Sequence, residues 1–273
     1  MKRKEQRPKF AKKSLGQNFL TDQNYIQKII AALNLQPDET IIEIGPGRGA
    51  LTRYLVESGA NVIAIELDKD LIPLLQNEFA LYENFQIIGQ DALKVDFSAI
   101  VNPQSAIRIK LVANLPYYIS TAILQRLIEQ REVFSEFVLM LQREVVERIT
   151  AKAGNSERGF LTVLVEAYCE AEKLFDVPPT AFRPAPKVWS SVVSLKPKIG
   201  VEIKNDKLFR QIVSAAFRQK RKTLQNNLKN APDFQYLDVA AILEKININL
   251  NYRAEKLTLE EWIKLINEKD PPR

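Results

Sequence analysis

Two hydrophobic patterns alternate along the first half of the chain. Short runs of apolar, mostly β-branched residues predict five buried strands, at 41–44, 62–66, 85–88, 109–113 and 136–141. Between them, apolar residues recur at helical spacing, as in the stripe of Ile26, Ile29, Ile30 and Leu33. Repeated alternation of strand and helix predicts an α/β fold, with a mostly parallel sheet and helices on both faces.

The second half of the chain changes pattern near residue 198. Helices are predicted at 145–151 and 160–168, and strands at 171–177 and 188–195 enclose a proline-rich loop. From Asp206 onward the pattern is helical. We therefore expect a tail over 1–13, an α/β domain over 14–198 and a small all-α domain over 199–273.

Composition narrows the chemistry. The 273 residues include one cysteine, Cys169, and no histidine. A disulfide framework, a Ser-His-Asp or Cys-His nucleophile and a histidine-ligated metal are therefore excluded, and no metal is expected. No apolar run has membrane-spanning length and the N-terminus carries no secretory pattern, so we expect a cytoplasmic protein without a membrane partner.

Charge is distributed unevenly around a net value of +6. Residues 1–13 carry +6, residues 14–198 carry −4 and residues 199–273 carry +4. Basic ends around a slightly acidic body indicate a polyanionic partner such as nucleic acid. One predicted helix carries basic residues on a polar face that suits phosphate contacts. Taken alone, the pattern is more simply interpreted as a solvated face. The residues are Arg218, Lys220, Arg221, Lys222 and Lys229.

The strand at 41–44 runs directly into Gly45, Gly47 and Gly49, and a helix-spaced pattern follows. Strand, glycine turn and helix together are typical of a nucleotide-binding corner, although the same pattern also forms plain βα turns. Glu66 ends the second strand and suits the two hydroxyls of a ribose. Asp91 follows the third strand, where it is placed to accept from an adenine amino group. Together they predict an adenosine pocket.

The fourth predicted strand is followed by Asn114-Leu115-Pro116-Tyr117. An exocyclic amine on a base is a poor nucleophile, because its lone pair is delocalised into the ring. The Asn114 oxygen and the Leu115 carbonyl are two acceptors for its N–H groups, Pro116 constrains the backbone, and Tyr117 offers a face for stacking. A sulfonium methyl donor needs no histidine base, so this tetrapeptide predicts methyl transfer to a base amine.

These stretches resemble the ribosomal RNA adenine-N6 dimethyltransferase family, of the kind that modifies two adjacent adenines near the 3′ end of small-subunit RNA. The resemblance covers most of residues 14–228. It rests on Gly16-Gln17-Asn18-Phe19-Leu20, Glu43-Ile44-Gly45-Pro46-Gly47-Arg48-Gly49, Glu66, Asp91, Asn114-Leu115-Pro116-Tyr117, Phe182-Arg183-Pro184-Ala185-Pro186-Lys187-Val188 and Arg221-Lys222-Thr223-Leu224.

The resemblance implies a Rossmann-like methyltransferase domain with S-adenosylmethionine as donor, followed by a small helical RNA-binding domain. It implies a monomer that acts on ribosomal RNA in a small-subunit particle. The donor-binding residues implied are Asn18, Leu20, Gly45, Glu66, Asp91 and Asn114. Asn114, Leu115 and Tyr117 are implied to hold the target adenine, and Phe182 to supply a second aromatic face.

Three alternatives remain open at this point. The related large-subunit RNA adenine dimethyltransferase of the antibiotic-resistance kind shares the donor pocket and the target tetrapeptide. A nicotinamide-dependent dehydrogenase also needs a glycine corner and Glu66, but it leaves Asn114 to Tyr117 and the basic ends unexplained. The third alternative, a non-catalytic RNA-binding assembly factor, accounts for the basic ends but for none of the other motifs.

Overall fold

The computed structural model describes residues 11–12, 15–100, 109–201, 203–235 and 238–268. Most of the expected tail over 1–13 lies outside the described residues. The strands are Phe19–Leu20 (β1), Thr40–Ile44 (β2), Asn61–Glu66 (β3), Phe85–Gly89 (β4), Ile109–Asn114 (β5), Phe134–Gln142 (β6), Cys169–Val177 (β7), Phe182–Arg183 (β8) and Ser190–Pro197 (β9).

The helices follow the strands as the hydrophobic pattern predicts for most of the chain. They are Gln23–Leu33 (α1), Thr52–Glu57 (α2), Ile72–Glu78 (α3), Phe97–Ile100 (α4), Ser120–Glu129 (α5), Arg143–Ile149 (α6), Phe160–Tyr168 (α7), Asp206–Ala216 (α8), Leu224–Lys229 (α9), Val239–Lys245 (α10) and Leu259–Asn267 (α11). Among the described residues, no helix combines the length and apolar character that crossing a membrane requires.

Seven strands form one sheet in the order β4-β3-β2-β5-β6-β9-β7. The ladders β3–β4, β2–β3, β2–β5 and β5–β6 are parallel, which confirms the expected α/β class. Strand order reverses between β2 and β5, and such a reversal leaves a crevice at the carboxyl ends of the two strands.

The register of the parallel ladders aligns four strand ends. Ile44 of β2 pairs with Ile65 of β3 on one side and with Ala113 of β5 on the other, and Glu66 pairs with Gly89. The residues that directly follow or end these strands therefore come out at one edge of the sheet.

A second, two-stranded sheet was not predicted. β1 pairs antiparallel with β8, with Phe19 opposite Arg183 and Leu20 opposite Phe182. Each strand has only two residues, which is too short to show a period-2 pattern. The pair ties the segment before α1 to the proline-rich loop.

The described residues form two compact units. One comprises residues within 1–143 and 174–193, and the other residues within 144–173 and 194–273. The sequence pattern instead suggested a boundary near residue 198, and the functional domain limits stay a prediction. In the first unit, the core is built on Ile41 and Ile42 of β2 and the buried stripe of α1.

The second unit packs around the apolar faces of α8 and α11. Phe209, Ile212 and Val213 of α8 are buried, as is Trp262 of α11. Arg158 is also buried: its guanidinium donates to the carbonyls of Ala151 (3.2 Å) and Leu257 (3.3 Å) and pairs with Glu166. Those bonds satisfy backbone oxygens that side-chain packing alone leaves unpaired.

The basic residues near 218–222 do not lie on a helix, so that part of the sequence prediction is wrong. α8 ends at Ala216, and Arg218 to Lys222 form the turn before α9. The Thr223 hydroxyl accepts from the Asn226 N–H and begins a new helix. Asn227 bonds both the N–H (3.2 Å) and the carbonyl (3.0 Å) of Gln219, which fixes the turn.

One carboxyl lies in the core beneath the glycine turn. Glu43 of β2 is 2% exposed, and its Oε2 accepts from the Thr52 hydroxyl of α2 at 2.6 Å. Burial, together with the nearby Glu66 carboxylate, raises the pKa of Glu43 to about 7, whereas the bond from Thr52 opposes the shift. The hydrogen bond fastens the start of α2 to the strand before the glycines.

We expect Glu43 to make folding stability fall as pH rises. A raised folded-state pKa favours the folded chain below pH 4.5, and that advantage is lost as pH rises to about 7. We expect the free energy of unfolding of the parent protein to fall between pH 4.5 and pH 8 by roughly 3 kcal/mol more than that of Glu43→Gln. Urea unfolding at the two pH values measures this difference. Glu83→Gln is the matched surface control. Parent and Glu43→Gln curves that fall equally over this range would contradict the assignment.

Candidate active site

A cleft opens at the carboxyl edge of the sheet, on the crevice between β2 and β5. The space between its walls, including open solvent at the mouth, is about 840 Å³. The segment before α1 and the ends of β2, β3, β4 and β5 supply the lining residues: 15–19, 44–45, 47, 65–67, 90–92, 114–119 and 123.

The glycine turn forms the floor of the cleft. Gly45 has φ +68° and its N–H donates to the Ile65 carbonyl at 2.9 Å. A Cβ built on Gly45 meets no atom within 4 Å, so the space beside this backbone is open to a ligand. A Cβ on Gly47 instead meets the Phe19 ring at 2.9 Å, and glycine is needed there for packing.

Glu66 ends β3 inside the cleft wall, with 6% of its surface exposed. One carboxylate oxygen accepts from the Asp68 N–H (2.8 Å) and the other from the Gly47 N–H (3.3 Å). A carboxylate has about four acceptor positions, so acceptor capacity remains for ligand hydroxyls. Burial raises the pKa of Glu66, although both backbone bonds act in the opposite direction.

Asp91 lies beside Glu66 on the same edge, after β4. Its Oδ1 accepts from the Leu93 N–H at 3.0 Å and caps the short 3-10 helix Ala92–Lys94. That bond fixes the carboxylate at the cleft wall between Gln90 and Ala92. Gly45, Glu66 and Asp91, named separately from the sequence, therefore line one cleft.

Asn114 is the last residue of β5 and its orientation is fixed by the segment before α1. Its Nδ2 donates to the Asn18 carbonyl at 3.1 Å, which leaves the side-chain oxygen as the remaining acceptor. Asn18 in turn donates from its own amide to the Gly16 carbonyl at 3.2 Å. Leu115 follows, and its N–H donates to the Met140 carbonyl of β6 at 3.2 Å.

Tyr117 closes the target tetrapeptide and is also anchored. Its hydroxyl lies 2.7 Å from the hydroxyl of Ser190, the first residue of β9. Burial raises the pKa of Tyr117, whereas the hydrogen bond with Ser190 acts in the opposite direction. The ring is half-buried and lines the cleft at the side nearest Asn114.

Two residues singled out from the sequence do not line the cleft. Leu20 is 5% exposed and Phe182 is 2% exposed, and both belong to the hydrophobic core of the first unit. They pair with each other across β1 and β8. Their roles as a donor contact and as a second aromatic face stay predictions, and this packing gives Phe182 no open face.

The segment before α1 is held in place by contacts with Asp68 that the sequence analysis did not predict. Asp68 is 4% exposed, pairs with the Lys12 ammonium and accepts from the Gln17 amide at 2.9 Å. Burial acts to raise the pKa of Asp68, but the bonds from Lys12 and Gln17 outweigh it and lower the pKa. These contacts hold residues 15–19 against the cleft. Because Lys12 and Gln17 are 56 and 51 positions away from Asp68 in the sequence, no local pattern predicts the contacts.

Comparison with known proteins identifies the family. The model of the ribosomal RNA adenine dimethylase family matches residues 9–270. The chain is 44% identical over 260 residues to the ribosomal RNA small subunit methyltransferase A of Saccharophagus degradans, covering 94% of each chain. It is also 44% identical over 258 residues to the protein of the same name from Clostridium botulinum, covering 93% and 92%.

Solved structures agree with this assignment. A dimethyladenosine transferase from Plasmodium falciparum superposes with a TM-score of 0.78 at 29% identity, over 92% of this chain and 96% of that one. The 23S rRNA methyltransferase ErmE shares the fold, with a TM-score of 0.68 at 24% identity, over 93% of this chain and all of that one. The chain belongs to the ribosomal RNA adenine dimethylase family.

Proposed function

We propose that this protein transfers methyl groups from S-adenosylmethionine to N6 of two adjacent adenines near the 3′ end of small-subunit ribosomal RNA. The observation that carries the proposal is the fixed Asn114 amide: its N–H is bonded to Asn18, and its oxygen is left as an acceptor beside Tyr117. The small-subunit substrate rests on the relatives at 42–44% identity, which carry that name.

The cleft fits the donor. When bound, S-adenosylmethionine supplies an electrophilic methyl group on a sulfonium, with a neutral leaving group. Glu66 has the remaining acceptor capacity to bind the two ribose hydroxyls, and Asp91 is fixed beside it for the adenine amino group. The open space at Gly45 admits a ligand close to the backbone.

The target amine would be held by two acceptors. The Asn114 oxygen and the Leu115 carbonyl accept its two N–H groups, which favours a pyramidal nitrogen with its lone pair directed away from the ring. Tyr117, with its hydroxyl bonded to Ser190, offers a fixed aromatic face for the base. These residues orient the nucleophile. As the methyl group moves from sulfur to N6, the nitrogen would gain a positive charge and then release one proton to solvent, so a histidine base is not needed before transfer.

The RNA partner would bind through the turn between α8 and α9. Arg218, Lys220, Arg221 and Lys222 are exposed there within one short segment. Several exposed cations on a fixed turn can contact successive phosphates. We propose further that the protein acts as a monomer in the cytoplasm, on RNA assembled in a small-subunit particle.

Removal of the ribose acceptor should weaken donor binding. Glu66→Ala leaves the ribose hydroxyls unpaired in a buried wall, and we expect a loss of about 1–3 kcal/mol in donor binding. Isothermal calorimetry with S-adenosylmethionine measures it. Glu83→Ala removes an exposed carboxylate from the same unit and should bind the donor as the parent does. Unchanged affinity in a folded Glu66→Ala protein would remove Glu66 from the donor site.

Removal of the basic turn should change RNA binding alone. With Arg218, Arg221 and Lys222 replaced by Ala, the slope of log affinity against log salt should flatten by roughly one unit per lost phosphate contact. Donor affinity should not change. The matched control makes the same charge change at three other exposed positions of the second unit, Arg253, Lys256 and Lys264. An equal slope for both triple variants would show that the turn has no special part in binding.

Asn114 should matter for the rate of methyl transfer. Asn114→Ala leaves one acceptor, the Leu115 carbonyl, so the amine enters but its lone pair is less well directed. Loss of one preorganised contact at a reacting centre costs about 10²–10³ in rate. Tyr117→Ala should instead weaken retention of the base, by about 1–3 kcal/mol.

Single-turnover methyl transfer to adenine N6 with donor and RNA saturating measures the Asn114 effect, and the same assay with the RNA concentration varied measures the Tyr117 effect. Incubating the parent protein with labelled donor and each ribosomal subunit, then mapping the modified nucleotides, tests the small-subunit assignment against the large-subunit one. An Asn114→Ala protein that transfers both methyl groups at the parental rate would rule out the proposed role of the amide.

A further inference from the structure

A large aromatic side chain is exposed next to the target tetrapeptide and has no part in the proposed reaction. Trp189 is 44% exposed, and the residue after it, Ser190, is fully buried and bonded to the Tyr117 hydroxyl at 2.7 Å. Consecutive Cα atoms are 3.8 Å apart, so Trp189 lies within a short distance of the residues that would hold the target base. An indole this exposed has a face that a ligand can contact.

The backbone holds Trp189 at the same sheet edge as Asn114. The N–H of Arg143, which directly follows β6, donates to the Trp189 carbonyl at 2.9 Å. β6 is the parallel neighbour of β5, and Met140 pairs with Asn114. Arg143 comes three residues after Met140 and therefore lies at the carboxyl edge of the sheet. Its hydrogen bond to the Trp189 carbonyl places Trp189 at the same edge.

One cation lies beside the indole. The Arg143 guanidinium lies 5.8 Å from the centre of the Trp189 ring. The loop that leads to Trp189, residues 178–189, also carries Arg183 and Lys187, both exposed, and contains no acidic residue. An exposed aromatic face with one cation beside it, on a loop that carries two more, suits a nucleobase attached to a phosphate backbone.

We propose that Trp189 is a stacking site for an unpaired base of the substrate RNA next to the adenine held at Asn114 to Tyr117, with Arg143 at its side. The proposal rests on the proposed function and specifies how the flanking strand is bound. The indole gives affinity without reading a particular base, because every base has a face that stacks. It holds the strand next to the target, while the basic turn between α8 and α9 makes separate phosphate contacts.

The chain contains a built-in reporter for this contact. It has two tryptophans, and the other one, Trp262, is fully buried in the second unit. A base stacked on Trp189 should quench the exposed part of the tryptophan fluorescence. The probe is a short, unstructured oligoribonucleotide that contains two adjacent adenines. The same sequence in a duplex, whose bases are already stacked, should quench little.

Three variants separate stacking from a structural role. Trp189→Phe keeps an aromatic face and should bind the oligonucleotide nearly as the parent does, but the quench should disappear. Trp189→Ala should bind it roughly 5- to 150-fold more weakly, the range that corresponds to loss of one stacked base. Leu81→Ala removes another exposed apolar side chain of the same unit, 95% exposed, and should keep both affinity and quench. Thermal unfolding and donor calorimetry check that all three are folded.

Methyl-transfer kinetics distinguish this proposal from the function it rests on. Failure of the proposed function removes transfer in the parent protein but leaves the quench and its loss in Trp189→Phe in place. With transfer intact, Trp189→Ala should raise KM for RNA and leave kcat unchanged. An absent quench under saturating single-stranded RNA, or parental affinity in Trp189→Ala, would overturn the proposal and would leave the indole as a surface for another partner, such as a protein.

Discussion

The parallel register of four central strands is the constraint on which the site depends. Because Ile44 lies opposite both Ile65 and Ala113, the residues that follow β2, β3, β4 and β5 come out at one edge, where the strand order reverses. Gly45, Glu66, Asp91 and Asn114 are far apart in sequence, and the register alone brings them to one cleft. A slip of one residue in any ladder turns alternate side chains to the opposite face and takes its carboxylate or amide out of the cleft.

The segment before α1 completes this edge by supplying bonds that orient the side chains. The Asn18 carbonyl accepts from Asn114 and thereby selects which end of the amide remains as an acceptor. Gln17 and Lys12 bind Asp68, whose own N–H donates to Glu66. One hydrogen-bonded chain therefore runs from this segment to the proposed ribose acceptor, and another runs to the proposed holder of the target amine. The Asn114 side-chain oxygen and the Glu66 carboxylate are thus held in place before a ligand binds. Polar groups that are preorganised in this way stabilise a transition state most effectively.

The sequence predicted the features that have a period or a motif. Ile41 to Ile44 and the α1 stripe repeat often enough to reveal buried faces, and the glycine corner with Asn114 to Tyr117 led to the family that the comparisons confirm. The pair of β1 and β8 was missed, because two residues a strand show no period. The basic residues 218–222 were placed on a helix because their spacing is helical, whereas Thr223 begins a separate helix with its own cap. Contacts such as Lys12 with Asp68 depend on pairs 56 positions apart, and no local pattern contains them.

Glu43 shows how the cleft is stabilised from below. A carboxyl buried beside a second carboxyl lowers stability near and above neutral pH, as its raised pKa of about 7 records. Its bond to Thr52 joins β2 to the start of α2, the two elements that flank the glycine turn. The turn itself contains glycines at positive φ, which bring no side-chain contacts that could hold it. Inside the turn, the Gly49 N–H donates to the Pro46 carbonyl at 2.9 Å. Contacts from outside add to this bond: Glu43 and Thr52 join the elements on either side, and the Glu66 carboxylate accepts from the Gly47 N–H within the turn. The two buried acids thus support the same short loop, Glu43 through the elements that flank it and Glu66 through the Gly47 N–H within it.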